Sequence, residues 1–346
     1  MRRWPYTFAV ALSVAIGLTT IITAKILDLP LKDPEGFLGP AYVRLPLIVL
    51  AFLAADVIPR SLSPRLKGKS PYARCKFIIE EQWSWVRLLH ISVGLGTFYA
   101  CYVSYRNLKS FLPVIREGKL DDKWMLNLDH FLMFGNNPAT ILHSVLGTGA
   151  SAQILSTLYI LYLTLIPLSL GAMLVWSRDM SLGCWYATAL CLNWVLGVIS
   201  YYLVPTLGPA FAQPQSFWEL PNTGASALQN SLFSTRLQYI TDPSSVNGVQ
   251  GIAGFASLHV SVVVTGCLFA TRVGAKRVLR YILWGYLVCT VLATIYFGWH
   301  YIADDIAGAM IGWAAVSIAA VASGNRGVHM LRKPKKSKAE SDLALS

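Results

Sequence analysis

The chain has 346 residues, of which 55% are hydrophobic and only 13% charged, and its formal net charge is +12. A soluble domain carries about 25% charged residues, so this composition excludes a soluble protein and indicates a multispan membrane protein. The basic residues cluster in short loops between apolar runs, which fits positive-inside topology rather than nucleic-acid binding.

Eight apolar stretches read as membrane-spanning helices: 6–27, 41–58, 84–105, 154–176, 182–204, 254–273, 279–297 and 301–322. Each is near the roughly 20 residues that a helix needs to cross the hydrocarbon core. All must be helical, because lipid offers no partner for free backbone groups. The expected fold is therefore all-α, a polytopic membrane helical bundle of about 8 transmembrane helices. Arg2-Arg3 opens the first stretch, but no small-residue cleavage site follows it. It is read as an uncleaved span rather than a signal peptide. Cys75, Cys101, Cys184, Cys191, Cys267 and Cys289 show neither a disulfide framework nor a metal-binding spacing.

Taking the N-terminus as cytoplasmic places 19 of the 29 Lys and Arg residues in inside segments, and leaves Arg236 as the only base of the outer loop 205–253. Both termini are thus expected in the cytoplasm. Residues 106–123 go against this count. They should be outside, yet they hold Arg106, Lys109, Arg116, Lys119 and Lys123. They read as a polar, partly amphipathic interfacial piece. After them, Trp124–Pro138 suits a short interfacial helix broken by Gly135-Asn136-Asn137-Pro138. His130 and His143 flank this helix and read as interfacial polar residues, and His90 and His329 have no assigned role. Pro205 and Pro209 stop the fifth span. The 205–253 loop is long enough to be functional or disordered. The lysine-rich tail after Asn325 reads as disordered and held near anionic lipid. Three regions are expected: N-terminal helices with a basic cytoplasmic loop (1–105), a membrane-embedded catalytic domain (106–322) and the basic tail (323–346).

The chemistry concentrates between Phe255 and Gly308. Ala256-Ser257-Leu258-His259 opens one span, and Trp299-His300-Tyr301-Ile302-Ala303-Asp304 opens another two spans later. A helical hairpin between them returns both to one membrane face. His300 and Asp304 are four apart, which on a helix is one face. Ser257 and Leu258 lie at a helix start, where free N–H groups favour an anion, and Ser257 adds a hydroxyl. The set suits phosphoryl transfer. His300 attacks phosphorus to form a phosphohistidine, Asp304 orients it, and His259 protonates the departing oxygen. A second step, with His259 acting as base, passes the group to water or to a hydroxylated acceptor. Two other chemistries fit the same residues: a proton relay in a transporter, or a metal held by Asp304, Asp305 and the two imidazoles. The convergence of all three groups at one face favours catalysis, and phosphoryl transfer of this kind requires no cofactor.

At these residues the chain resembles the type 2 phosphatidic acid phosphatase superfamily, and within it most the branch containing inositol phosphorylceramide synthase. That family's Pro-Ser-Gly-His motif appears as Ala256-Ser257-Leu258-His259, and the synthase branch's Ser-Leu-His is a closer match. The family's His-x-x-x-Asp appears as His300 to Asp304. Asp129…Phe134-Gly135 and Pro205…Gly208-Pro209 are similar to the synthase branch as well, so the resemblance covers about 124–320. It implies a six-helix phosphatase-like core toward the C-terminus, a phospholipid donor such as phosphatidylinositol and a lipid alcohol acceptor. Phosphatase members carry Lys and Arg in a first motif and an Arg six residues before the nucleophile. Here 202–211 holds no base, and the residue six before His300 is Thr294. A site short of cations suits a phosphodiester monoanion better than a dianionic monoester, with Arg236 as the candidate replacement. The alternative within enzymes is a lipid phosphate phosphatase acting on phosphatidic acid or a polyprenyl phosphate or diphosphate.

Overall fold

A computed structural model describes residues 4–36, 39–62, 70–116, 118–177, 179–244, 246 and 248–325. The tail after Asn325 lies outside them. Thirteen α-helices make up the described residues, with no strand among them: α1 (Thr7–Ile26), α2 (Ala41–Ser61), α3 (Pro71–Gln82), α4 (Trp85–Ile115), α5 (Asp122–Leu132), α6 (Pro138–Leu146), α7 (Ala150–Gly171), α8 (Met180–Leu203), α9 (Pro209–Ala212), α10 (Gly224–Thr241), α11 (Leu258–Arg272), α12 (Arg277–Tyr296) and α13 (Ile302–Ala322). Among the described residues, seven helices are long and apolar enough to cross a membrane, with α7 prolonged by a π-helical turn to Trp176. The chain is an integral membrane protein. The span expected at 254–273 is shorter than anticipated. Residues 254–257 are not helical, and α11 has 15 residues.

The core helix is α8, which packs against α1, α4, α11 and α13. Lipid tails are as apolar as leucine, so packing between spans relies on small residues and on polar pairs. Both are present. Trp185 Nε1 donates to Val316 O at 2.9 Å, and Asn193 Nδ2 donates to Thr265 Oγ1 at 2.9 Å. Ser261 Oγ donates to Asn193 Oδ1. Gly308 and Gly312 of α13 bring that helix against the backbone of α11, at Ser257 and Ser261.

Two stretches depart from the sequence reading. The polar piece at 106–123 is largely a continuation of α4, which runs unbroken through the expected region boundary at 105/106. Asn107 to Leu112 are all buried, because the last turns of α4 pack under the cap rather than lying on the bilayer surface. Tyr202 Oη donates to Leu108 O at 2.6 Å, and Gln250 Nε2 donates to Lys109 O at 2.7 Å. The 205–253 loop is mostly ordered. It holds α9, a 3-10 turn at Pro214–Phe217 and the 18-residue α10. A Thr223–Ser226 capping box starts α10, and Ala225 N donates to Ser156 Oγ of α7 at 2.9 Å. Helices α5, α6, α9 and α10 thus cap the bundle end at which α4, α8 and α12 finish and α7, α11 and α13 begin.

Candidate active site

Three backbone segments meet under this cap, joined mainly by main-chain hydrogen bonds. Gly254 N donates to Thr206 O at 2.8 Å, Ala210 N to Gly298 O at 2.8 Å, and Ser257 N to Asp304 O at 2.9 Å. The fit leaves no room for side chains at two glycines. A Cβ on Gly254 would lie 2.5 Å from Thr206 Oγ1, and one on Gly208 would lie 2.5 Å from Trp299 O. Gly208 also has φ +105°, a conformation only glycine adopts freely.

This frame brings His259, His300 and Asp304 together. His300 Nδ1 lies 3.3 Å from Asp304 Oδ2, and His300 Nε2 lies 3.4 Å from His259 Nδ1. His300 is not in a helix, contrary to the shared-face reading. It precedes α13, whose N-cap is Tyr301, and Asp304 is the third helical residue. Asp304 Oδ2 reaches back to accept from Tyr301 N at 3.0 Å, as a capping acid does. The same reach brings the carboxylate to the imidazole. Burial, and next the positive charge of Lys109, hold His300 well below the usual imidazole range. The ring is therefore neutral, as a nucleophile must be. An aromatic wall fixes His259. Tyr159 stacks on it at 4.6 Å, Trp299 stacks on Tyr159 at 5.2 Å, and the Tyr162 ring lies 4.5 Å away.

The other sequence candidates fall around this pair. Ser257 is the N-cap of α11, its Oγ accepting from Val260 N at 3.4 Å. Leu258 is the first helical residue. Its carbonyl accepts from Tyr162 Oη at 3.0 Å, and its side chain fills the space over Gly197. Arg236 is buried on α10, where the Asp122 carboxylate acts on it and its own charge reaches Lys109. Burial lowers its pKa, and the Asp122 carboxylate acts in the opposite direction. Among the described residues no cluster of three or more His, Cys, Asp or Glu could hold a metal ion.

Four further residues escaped the sequence reading. Asp122 accepts from Leu207 N (3.0 Å), Gly208 N (2.9 Å) and Tyr301 Oη (3.0 Å), tying the 205–208 turn to the start of α13. Asp129 accepts from Ile302 N at 3.1 Å, and burial pushes its carboxyl up to about 7. Thr294, where the phosphatase pattern has arginine, donates to Asp305 Oδ2 at 2.8 Å. Lys109, near the end of α4, is buried with its charge reaching both imidazoles. The site therefore has a second base besides Arg236. The signal for it was already in the sequence, as the excess of positive charge at 106–123 on the wrong side of the topology count.

A family model described as the PAP2 superfamily matches residues 123–318, more than half of the chain. No curated protein and no solved structure matches it.

Proposed function

Since the chain belongs to the PAP2 superfamily, a family of membrane phosphatase- and phosphotransferase-type enzymes, we propose that it is a lipid phosphotransferase working through a phosphohistidine. The donor is a glycerophospholipid such as phosphatidylinositol, and the acceptor is a lipid alcohol, as in the inositol phosphorylceramide synthase-like branch. His300 Nε2 attacks phosphorus while Asp304 holds the Nδ1 proton. The bond from phosphorus to the diacylglycerol oxygen breaks, and His259 gives that oxygen a proton. His259 then takes the proton of the acceptor hydroxyl, which attacks the phosphohistidine and releases His300. Ser257, the Leu258 N–H and Arg236 line the phosphate side. The active site faces the outer or lumenal side, with both termini cytoplasmic, in keeping with the distribution of Lys and Arg.

The observation that carries this reading is the pairing of a carboxylate-held imidazole with a second imidazole at 3.4 Å, at a position only 5% exposed. A site so enclosed disfavours water as acceptor. Charge supports a diester substrate: the Asp122 carboxylate acts on Arg236, and the Lys109 ammonium rests on ring faces with no carboxylate partner among the described residues, free for a monoanion. Lipid phosphate phosphatase is the second reading, favoured by the presence of two buried bases instead of one.

The test uses purified protein in vesicles, a donor labelled on phosphorus and a panel of lipid alcohols. Label should pass to a lipid acceptor and only slowly to water. The trapped protein adduct should survive alkali but not acid, as a phosphoramidate does, and His300→Ala should form none. Free phosphate released from a monoester, with diesters untouched, would instead assign the chain to the phosphatases.

A further inference from the structure

The ammonium of Lys109 is a buried charge without an anionic partner among the described residues. The residue is 8% exposed. A buried charge normally sits against a carboxylate or a fan of acceptors, because leaving water unpaired is expensive. Among the described residues Lys109 Nζ has neither. Its recorded neighbours are ring faces, with the Tyr201 centroid at 4.8 Å and the Tyr105 centroid at 5.9 Å. Four carboxylates near the imidazoles are bonded elsewhere, Asp305 among them through Thr294. Asp122 holds the 207–208 amides, Asp129 holds the start of α13, and Asp304 holds His300 and Tyr301.

The placement of Lys109 is nonetheless fixed. Its own carbonyl accepts from Gln250 Nε2 at 2.7 Å, and the next residue, Ser110, accepts from Gln250 N at 3.1 Å through Oγ. Gln250 Oε1 in turn accepts from Ile252 N at 2.9 Å. The backbone of Lys109 is thereby held against the irregular run that leads into Ser257-Leu258-His259. Its charge is felt at both His259 and His300, while the charges of Arg106 and Arg236 are felt at Lys109. A buried cation whose charge reaches the two reacting imidazoles, and which rests on ring faces with no anion of its own among the described residues, suits an anion that arrives with the substrate.

We infer that Lys109 is the cation that holds the non-bridging oxygens of the substrate's phosphodiester, supplied by α4 rather than by the segments that carry the histidines. The inference rests on the phosphotransfer reading. The ring faces of Tyr105 and Tyr201 hold the ammonium in the absence of substrate by cation–π attraction, which is weak enough to yield to a phosphate.

The experiment compares full-length wild type, Lys109→Met, Lys109→Arg and His300→Ala in vesicles. Donor saturation curves are measured, and orthovanadate is used as a phosphate probe, with its thermal shift read independently of turnover. Lys109→Met should lower kcat/KM about 100-fold and abolish the orthovanadate shift. Its own melting temperature should stay level or rise, since an unpaired buried charge has been removed. Lys109→Arg should recover part of both the rate and the shift. An unchanged rate and orthovanadate shift in Lys109→Met would overturn the inference. So would a loss accompanied by a lower melting temperature and no recovery with arginine, which is the signature of a packing role. The phosphotransfer reading fails separately, if His300→Ala keeps full activity. An inactive His300→Ala beside a fully active Lys109→Met would sink the lysine alone.

Discussion

The contact between α11 and α13 sets the distance between the two histidines, and Gly308 is where that contact is tightest. A Cβ there would sit far inside van der Waals contact with Ser257 O, and would lie 3.1 Å from its carbonyl carbon and 3.3 Å from its Cβ. The obstructing atoms are backbone, so no side-chain rotation relieves them. Gly308→Ala must therefore push the helices apart by about 1 Å to restore ordinary carbon–oxygen contact. Overpacking of this kind costs about 1–3 kcal/mol in stability. Its effect on catalysis should be larger. Ser257 N is bonded to Asp304 O at 2.9 Å, and His259 is two residues beyond Ser257, so the same displacement separates the acid from the nucleophile. A misplacement of about 1 Å costs on the order of 100-fold in rate. The assay pairs single-turnover label transfer with thermal unfolding in the same vesicles, and takes Gly266→Ala as control. Gly266 also lies in α11, but a Cβ there meets nothing within 4 Å. Gly308→Ala with wild-type transfer and an unchanged melting temperature would show that this interface does not hold the site.

Three further outcomes follow from the cap. Asp122→Ala strips the acceptor from Leu207 N, Gly208 N and Tyr301 Oη; it should destabilise the protein by about 3 kcal/mol and lower the rate, as read by unfolding and label transfer. Asp129 has its pKa raised from 3.8 to about 7 by burial, so the folded protein holds this proton more tightly than the unfolded chain does. Its stabilising effect is then complete below the unfolded value and is lost as pH rises toward about 7. Wild type should thus lose melting temperature across that window, and Asp129→Asn should flatten the profile in parallel scans. Thr294→Val removes the donor to Asp305 Oδ2. It should cost about 1–3 kcal/mol and reduce transfer more than its melting temperature alone accounts for, because Asp305 is the neighbour in α13 of Asp304, which holds the nucleophile.

Apolar length made most spans legible, since a run of about 20 apolar residues has only one structure available in lipid. The pairing of His259 with His300 was legible through the hairpin that separates them. What stayed hidden was whatever the bilayer does not dictate. Helix α10 has a low, unpatterned hydropathy, with Ser, Thr and Gln spread along it, so no periodicity revealed it; the Thr223–Ser226 cap and the contact with Ser156 hold it instead. The last turns of α4 are polar and read as surface, yet their polar groups are buried against Tyr202 and Gln250. Asp122 and Asp129 could not be assigned because their partners are backbone amides 85 and 173 residues away, and an amide leaves no mark in sequence. His300 was placed on the correct end of α13 but in the wrong conformation. Its link to Asp304 comes from a capping acid reaching back, and the spacing of four looks the same in either case.

The frame of the site explains how its cations can differ from the phosphatase pattern while its histidines do not. The three segments are joined through Gly254 N to Thr206 O, Ala210 N to Gly298 O and Ser257 N to Asp304 O, and none of these bonds depends on side-chain identity. An attacking nitrogen must lie within about 3–3.5 Å of phosphorus, so an imidazole cannot be moved to another helix without rebuilding this frame. A point charge has no such restriction, because its energy falls only as the inverse of distance, and in a poorly solvated site it remains large over several ångströms. The arginine position six residues before His300 can therefore become Thr294, bonded to Asp305, once a helix outside the frame delivers an ammonium to the same volume. Lys109 on α4 is the residue inferred to meet that condition, with its backbone held by Gln250 and its ammonium resting on the Tyr201 ring.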